Sequence, residues 1–392
     1  MAYRTVTALG AISGTSLDGV DCAIVSSDGH VEMHAGDTYY RSYDQKTKEV
    51  LLDASACARA LSTKQLRKKE LWPDVMRLAE DIVTTVHGKC IEDFLSQTSQ
   101  NVTLVGFHGQ TILHRSSEGF TLQIGDAEKL ADRLSLPVVY DFRSLDMMNG
   151  GHGAPLAPFY HFVLAKNIGL QIQAFVNIGG IANVTWVDAG KNEPQEAGAL
   201  LAFDTGPGNV FSDMWMQENF QLPYDEGGMR ALEGTVDHEI VADFIKNEPF
   251  FHLLPPKSLD ICDIQPPDGI KNLAQDDALA TLSALTAESI LESAKWFPKP
   301  VERWVICGGG EKNSFFIKYM QARTDAPVVQ SSSINLNGEF IEAQCFAYLA
   351  IRHIFGLPLT APKTTGCHSL VCGGKFTEGL SGEGVAFCKE KP

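Results

Sequence analysis

Two apolar runs near the start of the chain, at about Val6 to Ile12 and Asp21 to Ser26, have the short alternating pattern of strands. Six small, polar or glycine residues, Gly14-Thr15-Ser16-Leu17-Asp18-Gly19, separate them. Asp28-Gly29 follows as a hairpin dipeptide and "HVEMHAG" reads as the next strand, so the chain opens as a β meander. Val75, Leu78, Ile82 and Val86 recur at helical spacing in "WPDVMRLAEDIVTTVHGKCIEDFL" and predict a long helix. Three more apolar runs come next, "VTLVGFHG", "FTLQIGD" and "PVVYDFR", with a helical "AEKLADRL" between the last two. This alternation predicts an α/β domain.

The pattern then restarts. "GGHGAPLAPFYHFVLAKN" runs from a glycine and proline loop into a helix, and "QAFVNIGGIANVTWV" sets two strands about a glycine pair. "LLAFDTGPGN" is a strand leading to a helix for which Asn209 is placed as the cap. Proline-rich "PFFHLLPPKSLDICDIQPPDG" connects to a helix opened by Asp276 and Asp277, carboxylates at the positive end of its dipole. "VERWVICGGGEKNSFFIKYM" reads strand, glycine turn, helix. "EAQCFAYLAIRHIFGLP" is a last helix with Ala343, Phe346, Ala347, Ala350, Ile351 and Ile354 on one face, stopped by Gly356 and Pro358. Each half opens on a glycine-interrupted hairpin, which predicts two similar α/β domains with a ligand cleft between them.

The length of 392 residues exceeds one ordinary core, and 44% hydrophobic with 20% charged residues is the balance of a folded globular protein. A net charge of -16 argues against nucleic acid and anionic membrane partners. An anionic ligand then needs positive potential made locally, by backbone N–H groups, a metal or single basic residues. "MAYRTVTALGAIS" lacks the features of a signal peptide and no long apolar run follows, so a cytoplasmic location is expected. Nine cysteines without a CxxC pair read as reduced, buried thiols rather than a disulfide framework or zinc site.

Four glycine turns follow apolar strands: Gly14 to Gly19, Gly179-Gly180, Gly206 to Gly208 and Gly308-Gly309-Gly310. Glycine lets backbone N–H groups approach a phosphate, and four such turns suit a nucleotide triphosphate. The GxxxxGK[ST] and GxGxxG signatures are absent, as are GxSxG and HExxH, so a different phosphate-binding architecture is needed.

"AISGTSLDGVDCAIV", "GFHGQTI", "TLQIGD", "DFRSLDMMNGGHGAPLAP", "NIGGIANVT", "AFDTGPGNVFSDMW", "LATLSALTAESI" and "CGGGEKNSFF" together resemble the anhydro-N-acetylmuramic acid kinase family, in the family's order and over nearly the whole chain. The resemblance implies an α/β protein of two ribonuclease-H-like (actin-like ATPase) domains with a nucleotide and sugar cleft between them. The first would take residues 1–168 and 342–392, the second 169–341. It implies ATP and Mg²⁺, a homodimer, and a part in peptidoglycan recycling. Asp204 matches the catalytic aspartate, a general base for water that opens a 1,6-anhydro ring while the 6-oxygen takes the γ-phosphoryl group. Gly14, Thr15, Ser16, Leu17, Asp18, Gly19, Val20 and Asp21 match the phosphate turn, with Asp18 at the metal or its water shell. Gly179, Gly180 and Gly206 match the second phosphate turn, and Gly308, Gly309 and Gly310 the adenosine loop. Arg143 and Glu342 match positions that face the sugar, whereas His108 in "GFHGQT" reads either as a cleft-lining residue or, more commonly for a lone histidine, as a satisfied structural one, and is left outside the catalytic set.

Two departures stand out: His152 replaces a common Gln, and "PPKSLDICDI" keeps Lys257 and Ser258 but not the Thr-Gly-Arg-Glu that often follows. They bear on sugar preference and leave two rivals open, a levoglucosan-type anhydrosugar kinase and a nucleotide-switch ATPase that phosphorylates no small acceptor.

Overall fold

β1 (Val6–Ser13) and β2 (Gly19–Ser27) pair antiparallel, from Val6 opposite Ser27 to Ile12 opposite Asp21, and β3 (Met33–Ser42) joins β2. They belong to a computed structural model that describes residues 4–260 and 264–379. The third strand starts later than its sequence suggests, because Asp28 does not sit in a two-residue turn. Its Oδ1 accepts the backbone N–H groups of His30 (2.8 Å) and Glu32 (3.2 Å) and holds residues 28–32 as a loop.

β4 (Leu104–Arg115) lies parallel to β1, β5 (Phe120–Ile124) folds back on β4, and β6 (Val138–Tyr140) runs parallel to β4. β7 (Ile172–Ile178), β8 (Ile181–Asp188) and β9 (Leu200–Pro207) form a second antiparallel meander. β10 (Arg303–Cys307) is parallel to β7 and β11 (Val328–Gln330) to β10. β12 (Lys375–Thr377) closes the first sheet against β6. The orders are β12-β6-β4-β1-β2-β3 and β11-β10-β7-β8-β9, so the five-strand order β6-β4-β1-β2-β3 of the first sheet recurs in the second, with β5 and β12 as additions to the first. The described residues form two units, one of 4–160, 340–362 and 367–379, the other of 161–339 (its described part) and 363–366. The sequence boundaries at 168 and 342 thus fall at 160 and 340.

Period-2 alternation in β1 sends its two faces into different packing. Leu9 and Ala11 join a core with the helices Gln45–Ala60 and Asp74–Leu95. Gly10 faces the helix Ile341–Ile354 instead, where a Cβ would overlap the Ala343 carbonyl, and Gly106 on β4 meets the Phe346 carbonyl in the same way. These glycines let the helix lie directly on the sheet.

The Gln45–Ala60 helix has no counterpart among the elements the sequence predicts. Asp44 caps it through the Thr47 N–H (2.7 Å), and it buries only Thr47, Leu51, Ala54 and Ala58. The Asp74–Leu95 helix forms as expected, yet with its buried stripe rotated. Met76, Ala79, Val83, His87, Cys90, Ile91 and Phe94 are buried while Leu78 is exposed. Cys57 is half-buried and Cys372 exposed, against the expectation of uniformly buried thiols; the other described cysteines are buried, and Cys262 and Cys388 lie outside the described residues. Among the described residues no helix is long and apolar enough to cross a membrane.

Candidate active site

The turn between β1 and β2 is pinned from below and open above. Leu17, left-handed at φ 57°, donates its N–H to the Gly14 carbonyl (3.3 Å) and sinks its side chain into the core, leaving Thr15, Ser16 and Asp18 exposed. Fully buried Gln110 of β4 takes the Ser13 hydroxyl on its Oε1 (2.5 Å) and donates from Nε2 to the Gly14 carbonyl (3.1 Å). Leu17 and Val20, both expected at a ligand, therefore have only their backbone to offer, since both side chains are core. Gly19 is required by the sheet, because a Cβ there would overlap the Arg41 carbonyl. Gly14 is not: a Cβ would stand 3.7 Å from Ser16 Oγ, an ordinary contact. A glycine the fold does not demand suits close approach by a ligand. Gly14→Ala is expected to leave the melting temperature in place while raising KM for ATP about 10-fold, as steady-state kinetics beside a thermal melt would show.

In the second unit, the Gly179 and Gly180 carbonyls accept the N–H groups of Asn209 (2.7 Å) and Gly208 (2.9 Å). In a trans peptide the Gly180 N–H points opposite to the Gly179 carbonyl, away from residues 208–210. Asn209 does not cap its helix, Val210–Phe220; its Nδ2 donates back to the Ile178 carbonyl (3.3 Å). Gly308 and Gly310 are seated against Asn177 and Ile178, while a Cβ on Gly309 would have nothing within 4 Å. Asn313 caps the following helix, Ser314–Gln321, through the Phe315 N–H (3.0 Å), as its position predicts.

Asp204 lies within β9, three residues before its end at Pro207 and beside a bulge, and not at the strand end its sequence suggests. Its pairing partner is Asn183, Gly206 pairs with Ala182, and Thr205 is the extra residue between them. Gly206, at φ 154°, carries the backbone through that irregularity. The Asp204 N–H donates to the Lys257 carbonyl (3.0 Å), and its Oδ2 accepts the Leu259 N–H (2.8 Å). Burial pushes the carboxyl up to about 6, against donors from Leu259 and Ser258 and the charge of Lys257, which hold it down.

A bulge also carries His108: Ala11 pairs with Phe107 and Ile12 with Gly109, leaving His108 over. Its Nδ1–H donates to the Gly109 carbonyl (3.0 Å), and Arg143 Nε donates to its Nε2 (3.0 Å). Arg143 Nη1 donates to the Gly153 carbonyl (2.7 Å), and both side chains lie against Phe346. Burial holds the His108 imidazole well below its usual range, with the neighbouring guanidinium acting in the same direction. Glu342, at the solvent-accessible start of the Ile341–Ile354 helix, has its carboxyl raised by desolvation and partly restrained by Arg143. The structure thus gathers Arg143, Glu342 and His108, of which the sequence points to only the first two as site residues.

The profile of the anhydro-N-acetylmuramic acid kinase family matches residues 6–378. The chain belongs to that family. The kinase is 41% identical over 374 residues to the anhydro-N-acetylmuramic acid kinase of Ruegeria sp. (strain TM1040), covering 95% of each chain. It is 40% identical to that of Zymomonas mobilis over 374 residues, 94% of this chain and 99% of the relative. Among solved structures, component A of (R)-2-hydroxyglutaryl-CoA dehydratase from Acidaminococcus fermentans aligns at 10% identity with a TM-score of 0.43, covering 88% of this chain and 98% of that one. Membership of the kinase family, over residues 6–378, makes the chain a phosphotransferase.

Among the described residues of this kinase no cluster of three or more His, Cys, Asp and Glu could cage a metal ion. Asp18 nevertheless offers an exposed carboxylate, with Oδ1 3.8 Å from Lys48 Nζ, on the same turn as Gly14. One hard oxygen donor fits Mg²⁺, which keeps most of its waters and shares phosphate oxygens. Three further features escape a linear reading: Gln110 under the turn, the contact of the 257–259 stretch with Asp204, though Lys257 and Ser258 themselves stand out in the sequence, and Asp213, whose carboxyl burial also pushes up to about 6. Each depends on burial or on partners distant in sequence, and the strand pattern "GFHGQT" is the local signal for Gln110.

Proposed function

We propose that this kinase uses ATP and water to open 1,6-anhydro-N-acetylmuramic acid and phosphorylate its 6-oxygen, giving N-acetylmuramic acid 6-phosphate for cell-wall recycling. The observation that carries the reading is Asp204, a largely buried carboxyl raised to about 6 and held beside the bulge of β9 by the Leu259 N–H. Such a group is mostly ionised at pH 7 yet basic enough to take a proton from water. The water oxygen attacks the anomeric carbon while its proton passes to Asp204. The bond from that carbon to the 6-oxygen breaks, and the 6-oxygen attacks the γ-phosphorus as the bond to the β-phosphate oxygen breaks. Atoms balance as anhydrosugar, water and ATP giving sugar 6-phosphate and ADP, with the proton on Asp204 released to solvent. In the first unit the turn Gly14–Asp18 has backbone donors suited to phosphate oxygens; in the second, taken by itself, the Gly180 N–H is another such donor and Gly309 leaves its loop open to a nucleoside. Mg²⁺, when bound, neutralises phosphate charge, and Asp18 is the residue that fits it.

Arg143 supports a substrate bearing a carboxylate. Its Nε and one Nη1 hydrogen go to neutral acceptors, and among the described residues none accepts from Nη2. A lactyl carboxylate can take that edge. Incubation with ATP, Mg²⁺ and the anhydrosugar in ¹⁸O-labelled water is expected to give a sugar phosphate two mass units heavier, from label at the anomeric oxygen. A product without label would sink the hydrolytic step, and faster turnover of levoglucosan would overturn the muramic assignment.

A further inference from the structure

We infer that Lys257 is a positioning residue for Asp204: its buried ammonium anchors the stretch 257–259 whose backbone holds the carboxylate, and adds a positive charge to its surroundings. The inference rests on the reading of Asp204 as general base.

The stretch lies along the end of β9 and meets Asp204 more than once. The Lys257 carbonyl accepts the Asp204 N–H at 3.0 Å and the Leu259 N–H donates to Oδ2 at 2.8 Å, while the neighbouring Ser258 hydroxyl helps hold the carboxyl down. Ser258 and Leu259 are not packed away, since Ser258 is exposed and Leu259 half-buried. What fixes the stretch is Lys257, only 7% exposed. Its Nζ donates to the Phe250 carbonyl at 2.9 Å and stands 4.3 Å from the Phe250 ring centroid and 6.0 Å from that of Phe251. With Thr205, Ser289, Glu292 and Ser293 it lines a cavity of about 10 Å³, about enough for one water on its remaining hydrogens.

Lysine is a costly choice for an anchor alone. A buried ammonium loses hydration, and a leucine or methionine would pack on Phe250 and Phe251 without that loss. The charge has a use at Asp204, where ionisation in a desolvated place needs a nearby cation. Charged groups act on the pair and on its neighbour Lys295. Asp204 faces Lys257; Lys257 faces Asp204 and Lys295; and Lys295 is paired with Glu292 at 3.2 Å. Burial and Lys295 bring the Lys257 ammonium down to about 8, so it is largely charged at pH 7.

Removing the charge and loosening the donors favours the protonated carboxyl, so the pH below which turnover fails moves up. In Lys257→Met, the acid limb of kcat at saturating substrates is expected to rise by about one unit from the wild-type position near 6. The loss at pH 6 is then about 5-fold beyond that at pH 8.5. Lys257→Arg should return the limb to within about 0.3 units. Lys257→Gln keeps a donor for the Phe250 carbonyl and drops only the charge, so it serves if the Met variant does not fold; Ser258→Ala, at an exposed position, removes one donor and should shift the limb in the same direction. An even loss at every pH with the limb unmoved in Lys257→Gln overturns the inference and makes Lys257 merely structural. Wild-type turnover in Asp204→Asn overturns the general-base reading instead, and the two failures are told apart in one set of profiles.

Discussion

Asp204→Asn is expected to lose 10²- to 10⁴-fold in turnover of the anhydrosugar, the usual worth of a positioned base, with ATP binding nearly intact. The same substitution should make the protein more stable. The folded carboxyl titrates at about 6, above its ordinary 3.8, so folding favours the neutral form. That contribution is complete below pH 4 and is lost as pH rises through 6; above it, the ionised carboxylate costs the fold on the order of 3 kcal/mol. Asparagine cannot ionise and keeps an acceptor for the Leu259 N–H. Urea denaturation is therefore expected to show the variant ahead by about 1–2 kcal/mol at pH 8, with the gap closing toward pH 4. Turnover within 10-fold of wild type contradicts the catalytic role. A stability gap that does not change with pH contradicts the raised carboxyl.

How far the sequence shows this site depends on how local each part is. The turn at Gly14–Gly19 is legible because six residues unable to build a core interrupt two strands that can. The duplicated strand order is foreshadowed by the second glycine hairpin at Gly179-Gly180. Asp204 is visible as a carboxylate at a strand end, but its proton affinity is set by burial and by Leu259, 55 residues on. His108 is hidden for a different reason. Period-2 counting assigns each strand residue a face, and the bulge in β4 breaks the count at His108 itself. The Gln45–Ala60 helix escapes because its buried stripe of Thr47, Leu51, Ala54 and Ala58 holds only one large apolar side chain. On the Asp74–Leu95 helix, buried Thr84 and His87 lie where a hydrophobicity pattern looks for solvent, so the pattern favours the stripe through Leu78 over the one that packs.

Arg143→Gln is expected to separate the two candidate sugars. The guanidinium is fixed before any ligand arrives: Nε is held by His108 Nε2 at 3.0 Å and Nη1 by the Gly153 carbonyl at 2.7 Å. Both acceptors are neutral, so its charge is directed rather than cancelled by them. Removing one partner of a desolvated, hydrogen-bonded charge pair costs about 2–5 kcal/mol. For anhydro-N-acetylmuramic acid this corresponds to a rise in KM of about 30-fold or more, whereas levoglucosan, without a carboxylate, should change less than about 3-fold. His108→Gln tests the support separately. The imidazole must present a lone pair at Nε2, and donation from Nδ1 to the Gly109 carbonyl at 3.0 Å selects that tautomer. Burial and Arg143 both disfavour its protonation, so the arrangement persists well below the usual histidine range. KM for the anionic sugar should accordingly stay flat from pH 6 to 8 in the wild type, and rise about 5- to 10-fold in His108→Gln as the guanidinium loses its fixed direction. Equal losses for both sugars in Arg143→Gln would show that the residue braces the fold around Phe346 and does not read the carboxylate.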